Sequence, residues 1–317
     1  MDGKVTIEEH FALPETLGPG TPELHRRLQD FHGERIELMD RCGIAFAILS
    51  LNGPAVQAKT DTASAIDMAR RANDLLAEEI GKRRDRLGGF AALPMQDPEA
   101  AICELERAVS ELGLLGANVN GFSETTGSAS HLYYDRPEYR PFWAAIEKLD
   151  VPFYLHPRNP FFDDMPAFDG HPWLTYAAWA YALETAMHAL RLMCGGLFDD
   201  HPRLQMVLGH LGERIPFDLW RADNVLGKNP RGMPAQQILR TYMQSNVHVS
   251  TSGQFHDPPL HLAIREMGVD RVLFSIDYPY ESMEQGSSWF DQAELSEAER
   301  LAIGRNNAVW LFGLELS

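Results

Sequence analysis

The feature that most constrains this chain is an alternation. Short apolar runs recur between stretches of 3.6-residue periodicity: "VTIEEH" (5–10), "FAILSL" (46–51), "GGFAALP" (88–94), "GANVNGF" (116–122), "PFYLHP" (152–157), "LQMVLGH" (204–210), "VHVSTS" (247–252) and "RVLFSIDYP" (271–279). Helix patterns lie between them at 35–43, 64–83, 98–113 and 175–196, and a last one covers 296–313. Pro98 and Pro141 stand where a first helical turn tolerates proline, and Gly43 and Gly113 where helices stop. Eight strands alternating with helices predict a (β/α)8 TIM barrel spanning 1–317 as one domain, with an open doubly wound sheet as the runner-up.

The polar residues fall in one place within this pattern. Glu8 and His10 end the first run, Asn52 follows the second, and Asn120 ends the fourth. His156, His210, Ser252 and Asp277 end the fifth to the eighth. Barrels assemble their active sites at that rim, from several strands at once. Charges inside a core need compensation. Alternation puts Glu8 and His10 on one face and Glu9 on the other. With His156 from across the barrel and Asp277 beside the first strand, two carboxylates and two imidazoles suit one divalent metal, Mn2+ or Zn2+.

The formal charge of −17 opposes nucleic acid or an anionic membrane as partner. No run of about 18 apolar residues is present, and the N-terminus lacks a signal-peptide pattern. Cys42, Cys103 and Cys194 are scattered and odd in number, as expected of reduced core residues in a cytoplasmic protein. The basic "GKRRDR" (81–86) is expected to decorate a solvated helix end. The long segment 158–174 after strand five carries Phe161, Phe162, Phe168 and Trp173, which would wall an aromatic pocket or pack between subunits. Arg158, close to His156, would touch substrate or form a loop ion pair, and Glu184 with His188 reads as a helix-surface pair. These three stay outside the catalytic set.

"EEH", "YLHPRNP", "GHLGE" and "FSIDYP" together resemble the metal-dependent aromatic acid decarboxylases of the amidohydrolase superfamily, of the γ-resorcylate and 2,3-dihydroxybenzoate type. The resemblance runs through the whole chain. It implies Glu8, His10, His156 and Asp277 as ligands of one metal ion, with no organic cofactor. It puts His210 and Glu213 in the catalytic shell, and Asn120 and Arg221 near the substrate. Strand one carries Glu8 in place of a His-x-His pair and strand four has no lysine, so one metal is expected rather than two. The implied reaction is reversible, non-oxidative loss of CO2 from an ortho-hydroxybenzoate, best 2,6-dihydroxybenzoate to resorcinol. Asp277 would protonate C1 with a proton taken from the substrate's phenol, and His210 with Glu213 would orient or relay protons. Homo-oligomers, tetramers or dimers, are also implied. The alternatives are a 2,3-dihydroxybenzoate or salicylate decarboxylase, a metal-dependent lactone or amide hydrolase, and a non-catalytic metal- or small-molecule-binding protein.

Overall fold

The computed structural model describes residues 1–126, 131–161 and 166–316. Each of the eight apolar runs contains a strand or strand-like bridge. In chain order the barrel strands are β1 (Lys4–Phe11), β2 (Ile44–Leu51), β3 (Leu87–Gly89), β4 (Ala117–Asn120), β5 (Phe153–His156), β6 (Met206–Leu208), β7 (Val247–Ser250) and β8 (Val272–Leu273). All barrel pairings are parallel, β1-β2-β3 in one ladder and β4-β5-β6-β7-β8 in another. A bridge between Ala91 and Ala117 joins the two ladders on one side.

The ladders do not close into a continuous ring. On the other side β8 stops after two residues, and a seam of individual hydrogen bonds takes over. Asp277 N–H donates to the Glu8 carbonyl at 3.0 Å, and His10 N–H to the Tyr278 carbonyl at 2.7 Å. Glu9 points away from the barrel interior and fastens this seam. Its Oε1 accepts from Ser275 Oγ at 3.0 Å and Ile276 N at 3.1 Å, and its Oε2 from Tyr278 N at 2.8 Å.

One extra residue sits in β1 between Thr6 and Glu9, relative to Ala47 and Leu49 of β2. Ile7 N and Glu8 N both donate to Ser275 Oγ there, at 3.0 and 2.7 Å. This bulge turns consecutive side chains inward. Ile7 packs in the lower barrel core with Val5, Phe46, Ile48, Phe90, Tyr154, Val207 and Leu273. Glu8 then opens the polar rim above it. The larger apolar core lies between the strands and the surrounding helices.

The periodic segments are helical: Glu34–Arg41, Thr62–Lys82, Pro98–Ser110, Arg140–Leu149 and Ala180–Cys194. The last is shorter at its start than the periodicity suggests, because a short turn, Tyr176–Ala178, precedes it. Residues 296–313 form two helical pieces joined by a π turn, Ala302–Asn306. Among the described residues no helix is long and apolar enough to cross a membrane.

Several readings of the sequence change. Cys42 is buried, but Cys103 is exposed and Cys194 half-buried, so the three thiols are not all core residues. In the basic run, Arg86 is not a loose surface charge: its guanidinium donates to the carbonyls of Ala45 and Ile44, both at 2.9 Å, and pins the start of β2. Glu184 and His188 are buried rather than a helix-surface pair. Tyr133 OH donates to Glu184 at 2.9 Å, and Tyr134 N–H to His188 Nε2 at 3.2 Å. In the segment after β5, Phe168 is buried, Phe161 packs 5.3 Å from His131, Trp173 is exposed, and Phe162 lies outside the described residues. Arg158 pairs with Glu124 and donates to the Phe122 carbonyl at 2.8 Å, a structural role for this buried cation.

Candidate metal centre and active site

Glu8, His10, His156 and Asp277 converge at the barrel rim. Each offers one ligand atom, and these atoms all lie within 4.8 Å of one another. His10 Nε2 is 3.0 Å from Asp277 Oδ1, and His156 Nε2 is 3.5 Å from Glu8 Oε1. The seam makes this possible: backbone pairing of Asp277 with Glu8 and of Tyr278 with His10 sets the eighth strand against the first.

Orientation comes from neighbours on other strands. Ser50 Oγ, on β2, lies 3.2 Å from His10 Nδ1 and turns Nε2 toward the cluster. Tyr154 OH and Ser252 Oγ donate to Glu8 Oε2, as does Ser250 Oγ at 2.8 Å. Glu8 Oε1 is buried and accepts no hydrogen bond among the described residues. A buried carboxylate oxygen without a donor costs several kcal/mol unless a cation faces it. His10 Nε2 likewise makes no well-aligned hydrogen bond. Two nitrogens, two carboxylates and two unsatisfied buried atoms fit one divalent metal.

Burial raises the Glu8 carboxyl, and at His10 the Asp277 carboxylate outweighs burial and raises the imidazole, both in the direction that a cation among them would reverse. Burial, reinforced by the neighbouring His10, holds the His156 imidazole well below its ordinary pKa, so it is neutral and ready to ligate. Burial pushes the Asp277 carboxyl up, but the close His10 and His210 rings outweigh it and hold Asp277 below the carboxylate range. Burial alone would lower His210. The charges of Glu213 and Glu8, the nearby Asp277 carboxylate and the hydrogen bond to Glu213 push it well above the ordinary imidazole value instead.

His210 and Glu213 stand on an unusual turn. His210, Leu211, Gly212, Glu213 and Arg214 all have positive φ, from 48° to 82°. Left-handed backbone costs about 1–2 kcal/mol per non-glycine residue, and such strain gathers at functional sites. The turn brings His210 Nδ1 to 2.8 Å from Glu213 Oε1 and His210 Nε2 to 3.6 Å from Asp277 Oδ2. Asp277 itself has φ of 79°. The guanidinium of Arg214 lies 3.4 Å from the centre of the Trp179 ring and closes the turn from outside.

Two glycines leave the space. A Cβ on Gly209 would lie 2.9 and 3.0 Å from the two carboxylate oxygens of Glu8. A Cβ on Gly253, whose φ is +61°, would lie 3.1 Å from His210 Cδ2.

Asn120 is buried beside His156, its partner in the β4–β5 register. Its Oδ1 accepts no hydrogen bond among the described residues. Asn52 instead pins a loop, accepting from Thr16 Oγ1 at 2.8 Å and donating to the Thr16 carbonyl at 2.9 Å. Arg221 is not brought to the cluster within one chain. It is exposed on the helix Ile215–Lys228 and makes no hydrogen bond or ion pair among the described residues.

Sequence reasoning passed over Ser50, Tyr154, Ser250 and Gly209. Their signal was parity: Ser50, Tyr154 and Ser250 share the inward register of Phe46 and Ile48, His156 and Ser252. Gly209 had no such signal, since close approach shows only in three dimensions.

Comparison with known proteins gives the same picture. The amidohydrolase family pattern matches residues 7–314. A γ-resorcylate decarboxylase of Rhizobium sp. (strain MTP-10005) is 54% identical, over 99% of this chain and 99% of its own. The crystal structure of a 2,6-dihydroxybenzoate decarboxylase complexed with 2,6-dihydroxybenzoate superposes with a TM-score of 0.96 at 54% identity, covering 99% of this chain and 100% of that one. A dihydroxybenzoic acid decarboxylase of Polaromonas sp. JS666, with bound manganese and the inhibitor 2-nitroresorcinol, superposes with a TM-score of 0.96 at 50% identity, covering 99% and 97%.

Proposed function

The chain belongs to the amidohydrolase family, and on that premise we propose that it is a metal-dependent carboxy-lyase converting 2,6-dihydroxybenzoate to resorcinol and CO2. The observation that carries the reading is the convergence of Glu8, His10, His156 and Asp277 in a chain 54% identical over nearly its whole length to γ-resorcylate decarboxylases. Those four residues would hold the ion, manganese in the Polaromonas relative. When bound, it supplies Lewis acidity and a template for the carboxylate and adjacent hydroxyl.

The protein's own groups do the rest. Asp277, ionised at rest, accepts the proton of the ortho hydroxyl and delivers it to C1. That carbon becomes tetrahedral and the ring loses aromaticity. The C1–carboxylate bond then breaks, its electron pair restores the ring, CO2 leaves, and the phenol oxygen takes a proton from solvent. His210, cationic between Glu213 and Asp277, keeps Asp277 ionised until substrate arrives and steadies the charge that moves. Asn120 Oδ1 accepts from a substrate hydroxyl.

The reading includes one barrel domain in the cytoplasm, in keeping with three unpaired cysteines, and a homo-oligomer. Trp173, Tyr176 and Met187, and Phe217 and Trp220 on the helix that bears Arg221, are exposed by 55–78%. Contact between Arg214 and Trp179 joins the two groups. Apolar surface of this kind suits a subunit interface, and Arg221 then meets substrate from a neighbouring copy.

The test is a substrate panel of 2,6-dihydroxybenzoate, 2,3-dihydroxybenzoate and salicylate, with products separated by chromatography. The 2,6-isomer should give resorcinol with the highest kcat/KM. Preference for another isomer would move the assignment to that substrate.

A further inference from the structure

Three hydroxyls meet one oxygen of Glu8. Tyr154 comes from β5, Ser250 ends β7 and Ser252 follows it; all three are fully buried. Each points at Oε2 and none at Oε1. Their oxygens also lie close to one another, Ser250 to Ser252 at 2.5 Å and Tyr154 to Ser250 at 3.2 Å. A hydroxyl has one hydrogen to give. Oε2 is the acceptor that all three share, so the three hydrogens converge on it.

We propose that Tyr154, Ser250 and Ser252 form a hydroxyl clamp that restricts Glu8 to single-oxygen metal ligation. The inference rests on the metal site described above. The clamp saturates Oε2 and fixes the carboxylate plane, so only Oε1 faces His156, His10 and Asp277. Gly209 leaves the room in which the carboxylate sits, since a Cβ there would lie 2.9 and 3.0 Å from its two oxygens. Without the clamp Glu8 is free to rotate, and Oε1 is no longer held toward the other three ligands. These are positioning residues, acting on the ion and substrate through Glu8.

The experiment is Mn2+ binding to the full-length, metal-free protein, measured by calorimetry and by the electron paramagnetic resonance of free Mn2+. The variants are Ser252→Ala, Ser250→Ala, Tyr154→Phe and, as rescue, Ser252→Thr. Removing a partner that orients a ligand weakens metal binding by about 10–100-fold. Each deletion is expected to weaken Mn2+ binding by at least about tenfold, with the melting profile of the metal-free protein retained. Ser252→Thr, which keeps the hydroxyl, is expected to restore it. Binding within twofold of the parent in the three deletion variants would overturn the clamp and leave the metal site standing. So would equal losses in Ser252→Ala and Ser252→Thr. A parent protein that binds no Mn2+ would overturn the metal site itself, and the clamp with it.

Discussion

His210 and Glu213 face each other across one left-handed turn, Nδ1 to Oε1 at 2.8 Å, while the far nitrogen of the same ring looks at Asp277. The pair links a buried carboxylate to the proposed proton carrier through a cationic ring. Glu213→Gln removes the charge that raises His210 most. The imidazolium then loses its proton at lower pH. The basic limb of the kcat/KM profile should move toward acid, with kcat at neutral pH about 100-fold lower. An unmoved limb would show that His210 does not carry the relevant proton.

Gly209→Ala tests space rather than backbone freedom, since Gly209 has an ordinary φ of −71°. The new methyl must push the Glu8 carboxylate. Manganese retained after dialysis and turnover should both fall by about tenfold or more. Stability should change by only about 1–3 kcal/mol. Metal content and thermal melting on the same sample decide this.

Burial holds His188 near a pKa of about 3, against an ordinary 6.5, while its Nε2 accepts from the Tyr134 backbone. Between pH 7 and pH 5 the unfolded chain protonates this ring and the folded protein does not. The contribution is therefore present above about pH 6.5 and lost as pH falls, by about 2 kcal/mol over that interval. Buried Glu9 and Glu184, each raised to about 7 by burial, act in the opposite sense. The histidine's share is read as a difference: urea unfolding of the parent against His188→Gln at both pH values. The gap between them should change by about 2 kcal/mol, the parent losing more on acidification.

Phe217→Asp with Trp220→Asp places two charges on the exposed helix face. The parent should elute as a multiple of its 35.6 kDa chain, and the double variant as a smaller species. Arg221→Ala, in a protein that still assembles, should lower kcat/KM by about 10–100-fold, as loss of a charged hydrogen bond does. A monomeric, fully active parent would contradict the assembly.

Much of this was legible beforehand, for physical reasons. A parallel barrel buries each strand on both faces, so its strands read as continuous apolar runs. Polar candidates then stand out as the ends of those runs, as Glu8, His10, His156, His210 and Asp277 do. Strict alternation also placed Glu9 opposite Glu8, and it became the fastener of the seam. Alternation could not reveal the bulge that lets Ile7 and Glu8 both face inward, because that depends on Ser275, more than 260 residues away in sequence. It could not show the left-handed turn of "HLGER" either, which only Gly212 hints at. His188 looked like a surface residue because i,i+4 spacing on a helix is silent about which face is covered.

The measurement closest to the centre of the account is resorcinol formation by the parent and by Asp277→Asn, with metal determined on both samples. The parent should release resorcinol from 2,6-dihydroxybenzoate. The variant, with metal restored to the parent's level, should be slower by at least about 1,000-fold, the upper range for a positioned proton-transfer group. A metal-replete variant that turns over at the parent's rate would contradict the role given to Asp277, and a metal-replete parent that yields no phenol from any ortho-hydroxybenzoate would contradict the decarboxylase itself.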